Sequence, residues 1–415
     1  MSSSVIIVGG GVIGASCAYY LRQFGCGVTL IEQHHLGSGC SHANCGFVCP
    51  SHVLPLSSPS TLREGIVSLF RPNGSLRIAP RFDPLLWSWL WRFAQNSHPK
   101  RLLPSAHAIH ALLQSSRRLF DYLIQHEAIN CEWETRGILF VFITPKAFEH
   151  YATTADLLRR EFSMNIRCVP SQELLAFEPS LRPGLAGGWF FESDAHLKPD
   201  LLMSEWRRVL LSRGVEIVEN TKVRDFETSG RRITHVNTNR GSFPADAVVL
   251  AAGAWSPNFS RHIGLRLPIQ PGKGYSLTLP KPATAPSRPI ILEEHRVAVT
   301  PFRTSYRIGS TMEFAGYDTS LPPRRLDFLK HVASRYLCEP LATPVLEKWY
   351  GWRPMTPDSL PIIDRSFRLS NLFVAAGHNM LGLSMAPATG QLIAELITGT
   401  APHIDPSPYR LARFR

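Results

Sequence analysis

The sequence has no apolar run near the roughly 18 residues that a membrane-crossing helix needs. Cysteine is sparse, with 8 in 415 residues. The one cluster, Cys40, Cys45 and Cys49, lacks the close Cys-x-x-Cys spacing of zinc and iron–sulfur sites. A disulfide framework and a metal centre are therefore not expected, and the thiols read as small reduced hydrophobes. There is no internal repeat and no low-complexity tract. Room for a leader is also lacking, because Met1–Ser4 run straight into the β-branched stretch Val5–Val8. An intracellular, cytoplasmic protein is expected.

Acidic residues are scarce in one region. Between residues 61 and 120 only Glu64 and Asp83 stand against Arg63, Arg71, Arg77, Arg81, Arg92, Lys100, Arg101, Arg117 and Arg118. The net charge of +12 owes much to this stretch. Such an excess suits an anionic surface. With no nucleic-acid motif in the chain, a membrane or a protein partner fits better than nucleic acid. The same region carries Trp87, Trp89, Trp91 and Phe93 close to Arg81 and Arg92. That combination reads either as an interfacial patch on the inner face of the cell membrane, beside a membrane quinone, or as a helix buried between domains.

The strongest motif lies at the start. Val5–Val8 is a buried parallel strand by composition, Gly9-x-Gly11-x-x-Gly14 is a turn, and Ala15–Phe24 reads as a helix. Val28–Ile31 is a second strand, closed by Glu32. Gly9 permits the tight turn, Gly11 lets backbone approach a pyrophosphate, and Gly14 lets the helix pack on the sheet. The helix start offers free N–H groups to phosphate. Glu32 would take ribose hydroxyls, and its charge disfavours a 2′-phosphate. The unit therefore predicts a dinucleotide site without distinguishing NAD from FAD.

Further on, helices are expected near 105–127, 146–163 and 198–213, and strands at 137–143, 215–218, 232–238, 247–251, 297–300, 306–309 and 371–376. A last helix is expected over 387–398, and the proline-rich piece 280–289 reads as a surface loop.

Three later segments carry a resemblance. Ala247–Ser256 (AVVLAAGAWS), Gly351–Asp358 (GWRPMTPD) and Gly377–Gly390 (GHNMLGLSMAPATG) are similar to the strand-turn, Gly-x-Arg-Pro and flavin-contacting segments of the D-amino acid oxidase superfamily of FAD enzymes. The loop Ser41–Gly46, the tryptophan-rich stretch and Arg-Pro-Met-Thr-Pro-Asp resemble its bacterial D-amino acid dehydrogenases most. The match runs from residue 1 to about residue 400.

The resemblance implies an α/β fold, α+β overall. The pattern of elements divides the chain, so that a discontinuous Rossmann-like FAD-binding domain would comprise 1–60, 167–262 and 343–415. A mainly antiparallel substrate domain would comprise 61–166 and 263–342. The resemblance implies non-covalent FAD, although His42 lies near a position where some relatives attach flavin. It places Val12 and Ile13 in the first turn at the cofactor, with Gln33 after Glu32. The loop residues Ser41, His42, Ala43, Asn44 and Gly46 join them, as do Val223, Ala252, Gly253 and Trp255. So do Gly377, His378, Met380, Leu381, Gly382, Leu383 and Ser384, whose turn would aim N–H groups at the flavin.

Arg353 is the expected substrate residue. Its neighbours Trp349, Tyr350, Trp352 and Pro354 are aromatic or apolar, so its guanidinium needs a partner, and a carboxylate fits its fork. The alternative is an internal ion pair with Asp358 or Asp364. Met380 stands where some relatives, glycine oxidase among them, carry a second arginine. Another donor would be needed there, with Tyr275, Tyr350 and His52 as candidates. No general base is evident, and hydride transfer from a neutral amine does not demand one. The expected activity is oxidation of a D-amino acid, or of a cyclic imino acid such as proline or hydroxyproline, with electrons passed to a quinone or protein carrier. The alternatives are an oxidase using dioxygen and a non-catalytic flavin-binding subunit.

Overall fold

The computed structural model describes residues 4–68, 74–79 and 81–415. The opening βαβ unit forms as the glycine pattern requires. Strand Ser4–Val8 pairs in parallel with Gly27–Ile31, and helix Val12–Gln23 crosses between them. Four further strands complete a six-stranded sheet, in the order Ile362–Arg365, Leu372–Ala376, Ala247–Leu250, Ser4–Val8, Gly27–Ile31 and Glu216–Val218. All neighbours are parallel except the edge pair Ile362–Arg365 and Leu372–Ala376. The central strands are buried throughout, because helices cover their faces. A small antiparallel sheet, Val223–Ser229, Arg232–Thr238 and Gly241–Pro244, sits at the side.

The second sheet has nine strands among the described residues. Its edge strand Glu347–Met355 pairs with Gln270–Pro280, which pairs with Ser305–Phe314. Val297–Pro301, Ile290–Leu292, Ile138–Phe142, Gly187–Phe191 and Ile166–Pro170 follow in order, and Leu76–Ile78 adds to Ser305–Phe314. Two of these strands, and all but the first residue of a third, lie outside the expected substrate segments. Ile166–Pro170, Gly187–Phe191 and Glu347–Met355 were expected with the cofactor half, yet they hydrogen-bond into this sheet. A boundary drawn on local composition cannot see such pairing.

The C-terminal helix Gly382–Thr398 joins the two halves. It packs on helix Val12–Gln23 so closely that a side chain at Gly390 would meet the backbone of Ser16 at 2.5 Å. It begins five residues before the expected start at Pro387, which looks like a first-turn proline. The helix Pro99–His126 runs alongside, and its Ser116 hydroxyl accepts from the N–H of Ala388, helping a helix with an internal proline to persist.

The tryptophan-rich stretch is a helix, Pro84–Asn96, N-capped by Asp83. Trp89 is buried, stacks on Phe93 and donates from Nε1 to the carbonyl of Met355 at 3.0 Å. Trp87 and Trp91, four residues apart on one helix face, remain 56% and 68% exposed. The stretch is thus partly core and partly surface. Among the described residues no helix is long and apolar enough to cross a membrane.

Candidate active site

A cavity of about 2500 Å³ runs from the first turn to the edge of the second sheet. That is larger than a single small-ligand pocket. It has room for a dinucleotide and a substrate together.

At one end the backbone forms a phosphate cradle. Gly9 has φ of +112°, and a Cβ there would lie 2.6 Å from the carbonyl oxygen of Ala251. A Cβ at Gly14 would lie 1.9 Å from the carbonyl oxygen of Gly9, so neither glycine tolerates replacement. Gly11 is the N-cap of the helix and has no side chain of its own to cover the N-terminus. The Glu32 carboxylate ends the second strand and accepts from the N–H of Gly10 at 2.7 Å and of His34 at 3.0 Å. Ser41 Oγ accepts from the N–H of Val12 at 3.0 Å, tying the loop to the turn. An anionic group with a ribose behind it fits this donor set.

The expected cofactor residues Gly9, Gly11, Val12, Ile13, Glu32 and Gln33 line this end, together with Val223, Ala252 and Gly253, while Trp255 lines the cavity against Trp352. Ser41, Ala43, Asn44 and Gly46 line the middle, facing His378, Met380, Leu381, Gly382, Leu383 and Ser384. Three residues do not line it. Gly14 sits beneath the turn. Gly377, at φ +77°, packs against Thr356, where a Cβ would meet Cγ2 at 2.5 Å. His42 turns away and pairs with Glu347 at 2.7 Å. That bond holds the His42 pKa up against the opposing effect of burial. His378 is buried, shares a hydrogen bond with Thr389 at 3.0 Å, and is pushed down by desolvation to about 3, so its ring is neutral.

At the other end stands Arg353, on the edge strand. Its guanidinium lies over Gly274 of the neighbouring strand, where a Cβ would meet Nη1 at 2.4 Å. Nη1 donates to the carbonyl of Thr311 at 2.7 Å. Among the described residues no carboxylate pairs with it. Asp358 pairs instead with Arg413 at 2.6 Å, and Asp364 accepts from the N–H of Leu411 at 2.8 Å. The internal ion pair is therefore not formed. Desolvation presses the Arg353 pKa downward, which is the signature of a cation short of a counter-charge.

The carbonyl that holds Arg353 comes from a bulge. The pairing of Gln270–Pro280 with Ser305–Phe314 shifts register between Lys273 and Tyr275. Ser310 and Thr311 there have φ of +103° and +61°. A β-branched residue rarely adopts such a conformation, and strain of this kind collects at functional sites. The Thr311 hydroxyl is buried beside the cavity and has no hydrogen-bond partner. No sequence signal pointed to it, since bulges depend on pairing rather than composition.

Tyr275 and Tyr350 face each other across the strands. Both line the cavity, but side chains alternate along a strand, so residues 275 and 350 share the face of Trp352 and not that of Arg353. The Tyr275 hydroxyl donates to Glu313 at 2.7 Å and its ring joins the core under helix Pro323–Tyr336. Tyr350 packs on the same core, 4.7 Å from the ammonium of Lys273. Neither hydroxyl joins the guanidinium. His52 also lines the cavity, where desolvation lowers its pKa to about 4, so it is a neutral imidazole rather than a cationic carboxylate partner. An aromatic wall of Trp255, Tyr317 and Trp352 flanks the cavity near Arg353, with Trp255 and Trp352 edge to face at 5.4 Å.

Comparison with known proteins agrees with this layout. Residues 4–396 match the family described as FAD dependent oxidoreductase (DAO). A D-amino acid dehydrogenase of Granulibacter bethesdensis is 31% identical over 416 residues, covering 99% of both chains. One of Agrobacterium fabrum is 31% identical over 417 residues, again covering 99% of both. Among solved structures, glycine oxidase from Geobacillus kaustophilus superposes with a TM-score of 0.79 at 24% identity, covering 99% of both chains. L-proline dehydrogenase from P. horikoshii superposes with a TM-score of 0.74 at 20% identity, covering 100% of this chain and 98% of the other. At those identities the two structures establish the fold alone.

Proposed function

Because the chain belongs to the FAD dependent oxidoreductase family, we propose that it oxidises a D-amino acid, or a cyclic imino acid, whose carboxylate is held by Arg353. The single observation that carries the substrate assignment is a largely desolvated guanidinium with no acidic partner among the described residues, at the opposite end of a dinucleotide-sized cavity from the phosphate cradle. The relatives named D-amino acid dehydrogenase support the donor class.

The residues divide the work. The turn Gly9–Gly14 and Glu32 would hold the pyrophosphate and ribose of FAD. The loop Ser41–Gly46 and the turn Gly377–Ser384 would hold its ring system, without a covalent bond. Bound FAD supplies a hydride acceptor for the α-carbon of the substrate. Arg353 fixes the carboxylate, and with it the direction of the α-carbon–hydrogen bond. The Thr311 hydroxyl supplies the second donor that the carboxylate needs, since Met380 cannot. The aromatic wall of Trp255 and Trp352 excludes water while the bond breaks. The product imine then hydrolyses to a 2-oxo acid and ammonia, or stays cyclic when the substrate is an imino acid. In this reading the six-stranded sheet carries the cofactor half and the nine-stranded sheet the substrate half, with Glu347–Met355 belonging to the second.

The electron acceptor is a quinone or protein carrier. Supporting this is the exposed pair Trp87 and Trp91, with Phe82 at 96% and Leu85 at 63% exposure close by, on a basic stretch of chain. Such a patch would rest on the inner membrane face. Sedimentation with anionic lipid vesicles tests it. The Trp87→Ala/Trp91→Ala variant is expected to stay in the supernatant while the parent protein pellets. Turnover with a soluble quinone and no stoichiometric hydrogen peroxide is expected. Stoichiometric peroxide would assign the electrons to dioxygen.

A further inference from the structure

A buried chain of hydrogen bonds, unused in the chemistry above, ends on the cavity wall. Asp194, fully buried between strand Gly187–Phe191 and the short strand Ala195–His196, accepts from the Ser51 N–H at 3.1 Å. Its other oxygen lies 2.5 Å from the Ser51 hydroxyl. That hydroxyl lies 3.2 Å from Nδ1 of His52. A serine hydroxyl has one proton. With that proton given to the Asp194 carboxylate, Nδ1 of His52 must be the donor to Ser51. The tautomer is then fixed, and the lone pair of Nε2 is left without a partner on a ring that lines the cavity.

The same loop reaches the substrate end. Cys45 lies near Arg353, and Cys49 lies near Cys45 and within 4.8 Å of Asp194. Around the imidazole the surfaces are apolar. Phe140 lies 5.6 Å from the His52 ring and packs in turn on Tyr151 and Phe191. The charged or titratable groups facing Asp194 are Arg117, Tyr151 and Cys49. Burial lifts Asp194 to about 7, while Ser51 and Arg117 draw it down, so at higher pH the carboxylate is ionised and the chain runs in the stated direction. Desolvation that keeps His52 neutral would equally penalise a charged ligand group beside it.

We propose that Asp194 and Ser51 orient His52 as a fixed hydrogen-bond acceptor in the substrate cavity, selecting amino or imino acids that carry an uncharged donor, a hydroxyl, away from the reacting carbon. The proposal rests on the amino-acid reading of the site. Cys49, His52 and Asp194 also bring their ligand atoms within 4.8 Å of one another. The Ser51 hydroxyl already engages two of the three, which favours a hydrogen-bonded cluster over a metal site.

The test uses the FAD-loaded enzyme with matched pairs, D-serine against D-alanine and 4-hydroxy-D-proline against D-proline. The readout is anaerobic flavin reduction, at a pH above the Asp194 midpoint. One such hydrogen bond gives about a ten-fold preference in kcat/KM for the hydroxylated member of at least one pair. In His52→Phe the ratio is expected to fall to about one, with Ser51→Ala and Asp194→Asn between. Independently of turnover, ¹⁵N shifts of the His52 ring should show the proton on Nδ1, and Ser51→Ala should release it. A wild-type ratio near one for both pairs overturns the proposal, as does an unchanged ratio in both His52→Phe and Ser51→Ala. A proton on Nε2, or stoichiometric zinc in the purified protein, overturns it too. If no amino or imino acid reduces the wild-type flavin, it is the wider reading of the site that fails.

Discussion

The two ends of the cavity are built in opposite ways. The cradle at Gly9–Gly14 draws its parts from one βαβ unit, with Glu32 only 22 residues from Gly10. The wall at Arg353 is assembled from strands far apart in the chain, with Thr311 42 residues from the arginine it holds. The first end follows from local chain geometry. The second exists only once three strands have paired in the correct register. The difference teaches that the cofactor end is specified by residue type and spacing, and the substrate end by pairing.

That contrast can be broken at either end. The largest effect is expected from Gly14→Val. Its Cβ would collide with the carbonyl of Gly9 at 1.9 Å, and backbone cannot yield as a side-chain tip can. The purified variant should carry almost no flavin, as read from the ratio of visible to ultraviolet absorbance. Next is Arg353→Ala, which would remove the two charge-assisted hydrogen bonds proposed for the substrate carboxylate. A rise in KM of roughly 100-fold or more is expected, with flavin content unchanged.

A smaller effect separates the bulge from the arginine itself. Gly274→Ala should push the guanidinium off its seat and raise KM by about ten-fold, with flavin retained. Thr311→Gly should relieve a left-handed β-branched residue and raise the melting temperature, corresponding to ~1 kcal/mol or more. The same change should weaken substrate binding, because the hydroxyl is lost. Thr311→Ser should keep the binding.

A separate effect, at neither end of the cavity alone, is on pH stability. His52, His196 and His378 are held by burial at about 4, 4 and 3, below the ordinary histidine value of 6.5. In this window these three rings bind more protons in the unfolded chain than in the folded one, so their contribution to stability rises with pH, against the opposite and smaller contribution of the single carboxyl of Asp194, which burial lifts to about 7. It should be complete above about 6.5 and fall progressively as the pH drops toward 4. Thermal melts across that range should show the decline, and a flat profile would mean these rings are charged in the fold.

Much of the fold was legible because it is local. The first βαβ unit, the helices now seen at Pro99–His126, Pro145–Phe162 and Pro199–Ser212, and the strands around 232–238 and 371–376 each carry their own periodicity. Strands Gln270–Pro280 and Glu347–Met355 were not. Pro271, Gly272, Gly274, Gly351 and Pro354 read as turn residues, and only the sheet makes them strand. The same glycines create the flat surface on which Arg353 lies. Arg353 could be singled out because an arginine among aromatics needs a partner wherever it folds. Tyr275 and Tyr350 could not be judged without the register that turns them to the other face. His42 was drawn in by its neighbours in the loop, yet Glu347 claims it across 305 residues of chain. Thr311 was invisible, because nothing in a threonine announces a positive φ.

The account turns on Arg353 holding a substrate carboxylate next to the cofactor. The most direct measurement compares anaerobic flavin reduction by a D-amino acid and by its amide, which lacks the charge, in the wild-type protein and in Arg353→Ala. The acid should reduce the wild-type flavin at least about 100-fold more efficiently than the amide, and the variant should treat the two alike. An equal preference in both proteins, or no bleaching by the acid at all, would contradict the account.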